Sequence, residues 1–145
     1  EYDSVTGWWK DTGTPEDIIH ANKLVLDSIG NENQFLIDHD AEIKDNVVIG
    51  SGTILDNKSS IMGPVIIGKN CTIGPGVKLG PYVSVGDNCI LNKCTIQDSI
   101  IMTNCIVDVD VDLELSIISH GSQINSSDIP NKRQFLLGER SFTKL

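Results

Sequence analysis

Aliphatic residues recur at every sixth position of this chain: Ile37, Ile43, Ile49, Leu55, Ile61, Ile67, Ile73, Leu79, Val85 and Leu91. Four residues after each stands a small or β-branched residue: Ala41, Val47, Thr53, Ser59, Val65, Cys71, Val77, Val83, Cys89 and Thr95. Ten hexads in one register fit neither the helical period nor a plain strand alternation. Short strands separated by tight turns, three to a coil, do fit. Such a chain winds into a triangular prism, with the aliphatic residue inside and the small residue where the wall bends. The turns need left-handed backbone, which favours Gly and Asn. Asn46, Gly52, Asn70, Gly76 and Asn88 occupy the fourth hexad position and meet that need.

Gly also follows the core aliphatic in "IGSG", "IGKN", "IGPG", "LGPY" and "VGDN". This pattern resembles the hexapeptide signature of the left-handed parallel β-helix. The resemblance, rather than the period, supplies the left hand, which is an exception to the usual crossover rule. The fold class is therefore mainly β: a single-stranded left-handed β-helix preceded by one α-helix. Beyond Leu91 the register slips to some five-residue steps, with Ile96, Ile101, Val107, Leu113, Ile118 and Ile124 continuing the interior. Carrying the count through the slips stacks Thr53, Cys71, Cys89, Cys105 and Ser122 in one column, at a coil spacing of about 4.8 Å.

Before the repeat, "TGTPEDIIHANKLVLDSIGN" predicts a helix. Thr14 is its N-cap, Pro15 suits its first position, and Glu16 and Asp17 complement the dipole. Ile18, Ala21, Val25 and Ile29 form its expected apolar face, and Gly30 ends it. Three regions follow: residues 1–34 (loop, helix and connector), 35–126 (β-helix) and 127–145, a loop and apolar segment expected to cap the prism's open edge.

Composition removes several classes of function. A net charge of −9 and an isoelectric point near 4.6 argue against a nucleic-acid or anionic-membrane surface. No apolar run approaches the roughly 20 residues that span a bilayer, and no signal sequence opens the chain, so a cytoplasmic protein is expected. The first residue is Glu1 rather than Met, a first sign of a fragment. The cysteines Cys71, Cys89, Cys94 and Cys105 form no CxxC pair and read as buried thiols acting as small hydrophobes.

Candidate chemistry is sparse. Of the three histidines, His20 lies in the helix, while His39 and His120 fall in turns and are the candidate general bases. "VDVDVDLEL" puts Asp108, Asp110, Asp112 and Glu114 at alternate positions, hence on one face of an extended segment. Same-face neighbours lie about 6.6 Å apart along a strand, too far for one calcium shell, so a solvated acidic wall is expected. Lys132, Arg133 and Arg140 read as ordinary surface. The densest stretch is "GWWKDTGTPED", which holds both tryptophans, Trp8 and Trp9, beside Asp11.

"GWWKDTGTPEDIIHANKLVLD" resembles the closing signature of the sugar-nucleotide pyrophosphorylases, specifically glucose-1-phosphate thymidylyltransferase. "IMGPVIIGKNCTIGPGVKLGPYVSVGDNC", "SIISHGSQI" and "LLGERSFTKL" resemble the long form of that enzyme, whose catalytic domain precedes a left-handed β-helix. The resemblance implies that Asp11 helps hold Mg²⁺ and that Trp9 lines the sugar site. It implies a displacement in which a glucose 1-phosphate oxygen attacks the α-phosphorus of dTTP and pyrophosphate leaves. The family's nucleotide loop, catalytic basic residues and second metal carboxylate are absent from this sequence. This chain alone is therefore expected to be inactive, the C-terminal piece of such an enzyme, with residues 1–34 the terminal segment of the missing nucleotidyltransferase domain and a connector, and the β-helix serving assembly as a homo-oligomer, with a trimer favoured. Two alternatives stand beside it: an acyltransferase using acetyl-CoA with His120 as base, and a scaffold module without chemistry.

Overall fold

The computed structural model describes residues 14–29 and 42–125. One helix, α1 (Pro15–Asp27), precedes fifteen short strands. Sheet A holds β1 (Glu42–Lys44), β4 (Ser60–Met62), β7 (Lys78–Leu79), β10 (Thr95–Gln97) and β13 (Asp112–Glu114). Sheet B holds β2 (Val47–Ile49), β5 (Val65–Ile67), β8 (Val83–Val85), β11 (Ser99–Ile101) and β14 (Ile117–Ile118). Sheet C holds β3 (Ile54–Leu55), β6 (Thr72–Ile73), β9 (Ile90–Asn92), β12 (Ile106–Asp108) and β15 (Gln123–Asn125). Every third strand pairs in parallel, so five coils form a three-sided left-handed β-helix, three strands to a coil as the hexad period predicts.

The interior is a set of vertical ladders. Ile43, Ile61, Leu79, Ile96 and Leu113 stack on sheet A. Leu55, Ile73, Leu91, Val107 and Ile124 stack on sheet C, all buried. Burying each such side chain favours the fold by about 1.5–3 kcal/mol relative to exposure. The column Thr53, Cys71, Cys89, Cys105 and Ser122 lies immediately before the sheet C strands, as the count through the slips predicts.

Three local readings change. At the first corner Asp45 (φ 66°), not Asn46, takes the left-handed conformation, leaving the Asn46 carbonyl to accept from Val65 N at 3.0 Å. The other turn residues behave as expected, with φ of 79° at Gly52, 57° at Asn70, 78° at Gly76 and 60° at Asn88. The interior residue of the first shortened hexad is Cys94, fully buried, whereas Thr95 faces outward beside Lys78. Lys93 takes φ 66° there and turns the chain with one residue fewer, which keeps Ile96 inside.

The third change concerns α1. Thr14 caps it, accepting from Asp17 N at 3.1 Å, with Pro15 at its first position. Its buried residues are Ile19 and Leu26, one position on from the expected Ile18 and Val25, a rotation of about 100°. Polar pairs to sheet B choose this face. Ser84 Oγ donates to Asn22 Oδ1 at 2.6 Å, Tyr82 Oη donates to Asp27 Oδ1 at 2.8 Å, and Lys23 Nζ lies 3.5 Å from Asp98 Oδ1. Lys23 also sits 5.0 Å from the centre of the Tyr82 ring. The bond to Asp27 raises the Tyr82 phenol above its ordinary value, so the phenol stays a donor into alkaline solution.

The ladder model makes a direct expectation. Leu91→Ala, in the middle of the fully buried sheet C column, costs about 2–5 kcal/mol in chemical denaturation. Lys78→Ala, outward on sheet A, stays within about 0.5 kcal/mol.

Candidate functional site

Trp9, Asp11 and His39 lie outside the described residues, as does the capping segment 127–145. His120 occupies the turn between β14 and β15, half-buried, one coil along from Thr103. Its Nδ1 is hydrogen-bonded to Thr103 Oγ1, a partner that the sequence reading did not identify. The signal was present, because Thr103 and His120 occupy the same turn position one coil apart. When Thr103 donates, the proton rests on Nε2 and the outer edge of the ring is a donor. When Nδ1–H donates, Nε2 is left as an acceptor able to take a proton.

The acidic run does not lie on one face. Asp108 ends β12 on sheet C, whereas Asp112 and Glu114 belong to β13 on sheet A. Val109 and Val111 turn inward at the corner between them, which splits the carboxylates over two walls. Glu114 Oε2 accepts from Gln97 Nε2 at 3.3 Å. Among the described residues, no group of three His, Cys, Asp or Glu side chains could hold a metal ion.

The four cysteines are free and buried. Their column is a ladder of donors to the next coil: Thr53 Oγ1 to Gly68 O at 2.6 Å, Cys71 Sγ to Gly86 O at 3.1 Å, Cys89 Sγ to Met102 O at 3.0 Å and Cys105 Sγ to Ser119 O at 3.0 Å. Cys94 sits apart, where burial pushes its thiol up to about 12. The neighbouring thiols of Cys105 and Cys71, together with burial, also raise Cys89. Hydrogen bonding with the Cys89 thiol lowers Cys71 to about 7 and also lowers Cys105, but all four thiols are enclosed in the core, out of reach of a substrate.

What distinguishes the molecule is its outer surface. Sheet A presents Glu42, Lys44, Lys78, Asp112 and Glu114 outward. Sheet B carries Val48, Ile66, Ser84, Ile100 and Ile117, with α1 docked near its middle. Sheet C presents Ile54, Thr72, Ile90 and Ile106, with Ile54 65% and Ile90 39% exposed. The residue before each core aliphatic, taken every third hexad, separates these faces in the sequence. The sequence reading averaged over all hexads and missed it.

Coils of this period define a hexapeptide-repeat β-helix protein. More particularly, the chain belongs to the family described as the GMPPB C-terminal domain, whose model matches residues 61–139. It is 33% identical over 138 residues to a glucose-1-phosphate thymidylyltransferase of Streptomyces antibioticus, covering 94% of this chain and 38% of that protein. It is 33% identical over 143 residues to the low-salt glycan biosynthesis nucleotidyltransferase Agl11 of Haloferax volcanii, covering 97% of this chain and 40% of that protein. The chain thus spans about two fifths of the length of these relatives. Among solved structures, the UDP-N-acetylglucosamine acyltransferase of Francisella novicida is 20% identical with a TM-score of 0.46, over 74% of this chain and 60% of that one. Among the described residues, no helix is long and apolar enough to cross a membrane.

The cysteine ladder carries an expectation of its own. With all four thiols buried, a chromogenic disulfide reagent at pH 8 leaves them unmodified in the native protein and reacts with four equivalents after denaturation.

Proposed function

We propose that this chain is the C-terminal part of a cytoplasmic enzyme that makes dTDP-glucose and pyrophosphate from dTTP and glucose 1-phosphate. The β-helix serves assembly, not chemistry. The observation that carries the reading is the pairing, in one chain, of a nucleotidyltransferase-type opening, "GWWKDTGTPED", with a hexapeptide-repeat β-helix. Relatives named for nucleotidyl transfer, more than twice as long as the matched region, support it. In this reading Asp11 supplies one carboxylate to the Mg²⁺ site of the complete enzyme and Trp9 lines its sugar pocket. The remaining metal carboxylate and the nucleotide loop come from the preceding domain. A divalent ion there would offset charge on the phosphates. This chain alone is inactive. Acetyl transfer, the alternative built on His120 and acetyl-CoA, has one hydroxyl contact in its favour, Thr103, and that contact does not fix the base tautomer.

Assembly is supported by sheet C. Its outer ladder of Ile54, Thr72, Ile90 and Ile106 is in register, and Ile54 is among the most exposed apolar side chains described. A homo-oligomer, with three prisms around one axis, covers such a wall.

Two experiments test the reading. In the native polypeptide, which is expected to be longer than this chain by about one further domain, Asp11→Asn lowers kcat for dTDP-glucose formation by about 10²-fold or more with the fold intact. A native polypeptide of the same length as this chain, or an Asp11→Asn enzyme with full activity, overturns it. Ile54→Lys combined with Ile90→Lys places charge on the sheet C wall and lowers the oligomer mass measured by light scattering. An unchanged mass removes sheet C as the interface.

A further inference from the structure

One rung of the corner ladder lacks its acceptor. Thr53, Cys71, Cys89 and Cys105 each donate to a carbonyl one coil along, those of Gly68, Gly86, Met102 and Ser119. Each acceptor directly follows the buried aliphatic that ends a sheet B strand: Ile67, Val85, Ile101 or Ile118. Ser122 stands next in the column and is fully buried, yet its Oγ has no hydrogen-bond partner among the described residues. A backbone series stops at the same place. Gly50 N donates to Ile67 O, Gly68 N to Val85 O, Gly86 N to Ile101 O and Met102 N to Ile118 O, so Ser119 N is the next donor. Both donors call for a sheet B strand in a sixth coil. Ser119 needs the carbonyl of an interior aliphatic, and Ser122 needs the carbonyl just after it.

The interior of the last coil is closed. Ile118 and Ile124 are fully buried although they belong to the final described coil, whereas Ile43 in the first coil is only partly buried. The chain leaves that coil at Asn125, and residues 126–145 follow. Among them an aliphatic–glycine pair occurs once, at Leu137–Gly138. It repeats Ile67–Gly68 and Val85–Gly86, the pairs that supply acceptors to Thr53 and Cys71. Leu136 lies eleven residues after Asn125, against nine from Asp108 to Ile117, so the chain is long enough to cross the sheet A side first. The matched family domain runs to residue 139, just past this pair.

We infer that Leu136 and Leu137 add a sixth strand to sheet B beside β14, with Leu136 in register with Ile117 and Leu137 with Ile118. Ser119 N then donates to Leu137 O, and Ser122 Oγ donates to Gly138 O. Leu137 enters the prism and Leu136 faces outward, as strand alternation requires. A segment merely laid across the end excludes water but brings neither carbonyl into place, and a buried hydroxyl without a partner is costly. The new edge is short, and Pro130, Glu139 and Arg140 are residue types that discourage strand pairing there. Prisms finished in this way do not join end to end, which leaves their side walls for assembly.

Amide hydrogen exchange and proton NOEs in the 145-residue chain test it. The Ser119 amide exchanges about 10³-fold or more slowly than in the unfolded chain, and Leu137 shows cross-strand NOEs to Ile118. Leu137→Lys lowers Tm by about 8 °C or more, while Leu136→Lys stays within about 3 °C, because only the former side chain is interior. Ser122→Ala lowers Tm by about 4 °C in the parent and adds almost nothing in the Leu137→Lys variant. The exchange and NOE measurements use the parent chain, so they decide the matter even if Leu137→Lys fails to fold. A freely exchanging Ser119 amide, NOEs from Leu137 to a different strand, or equal losses at Leu136 and Leu137 overturns the inference. Protection of Ser119 that appears only as protein concentration rises overturns it in favour of the edge of a second copy.

Discussion

The structure depends on register between coils. A parallel coil satisfies its backbone groups mainly through its neighbours, as when Gly50 N donates to Ile67 O at 2.8 Å and Ile90 N donates to Cys105 O at 2.9 Å. No coil is therefore a stable unit, and stability grows by adding interfaces. The same register puts like over like: Leu55, Ile73, Leu91, Val107 and Ile124 form one column. A change of volume at any rung is felt by the rungs above and below, because packed interiors leave little room to relax.

Where the hexads shorten, hydroxyls take over the corner. The column Val47, Val65 and Val83 continues as Ser99 and Ser116. Ser99 Oγ donates to Gln97 O at 2.8 Å and accepts from Ser116 N at 3.1 Å, while Ser116 Oγ donates to Glu114 O at 2.9 Å. A turn with fewer residues leaves backbone groups close to the interior, and a buried polar group without a partner is costly. Serine meets both demands, small size and a hydrogen bond. The switch from valine to serine in this column thus follows from the five-residue steps in the sequence.

Much of the fold was legible because a period of six is a global signal, repeated in ten hexads from Ile37 to Leu91. The readings that failed were set by one neighbour each. Asn46 yielded its left-handed turn to Asp45, and Thr95 yielded the interior to Cys94. Alternation placed Asp108 and Asp112 on one face until a corner intervened. The helix carries apolar residues on more than one side, and the sequence alone could not choose among them. Ser84, Tyr82 and Asp98, more than fifty residues away, made the choice through Asn22, Asp27 and Lys23. The site itself was legible only as a resemblance, since Trp9 and Asp11 lie outside the described residues.

The polar side chains of the prism act mainly on its own backbone. Asp56 Oδ1 accepts from Lys58 N at 3.0 Å, Asp87 Oδ1 accepts from Lys69 N at 2.8 Å, and Thr53 accepts from Cys71 N at 3.0 Å. Groups held this way hold turns and are poorly placed to serve a substrate. The variable chemistry sits on the outward positions instead, where a stack of coils imposes no size and no partner. One wall is charged, one carries a helix, and one presents three isoleucines interrupted by Thr72. A rod with a fixed interior and three independently specified walls suits the placing of other bodies. That division of labour explains why the interior repeats so faithfully while the outer faces do not.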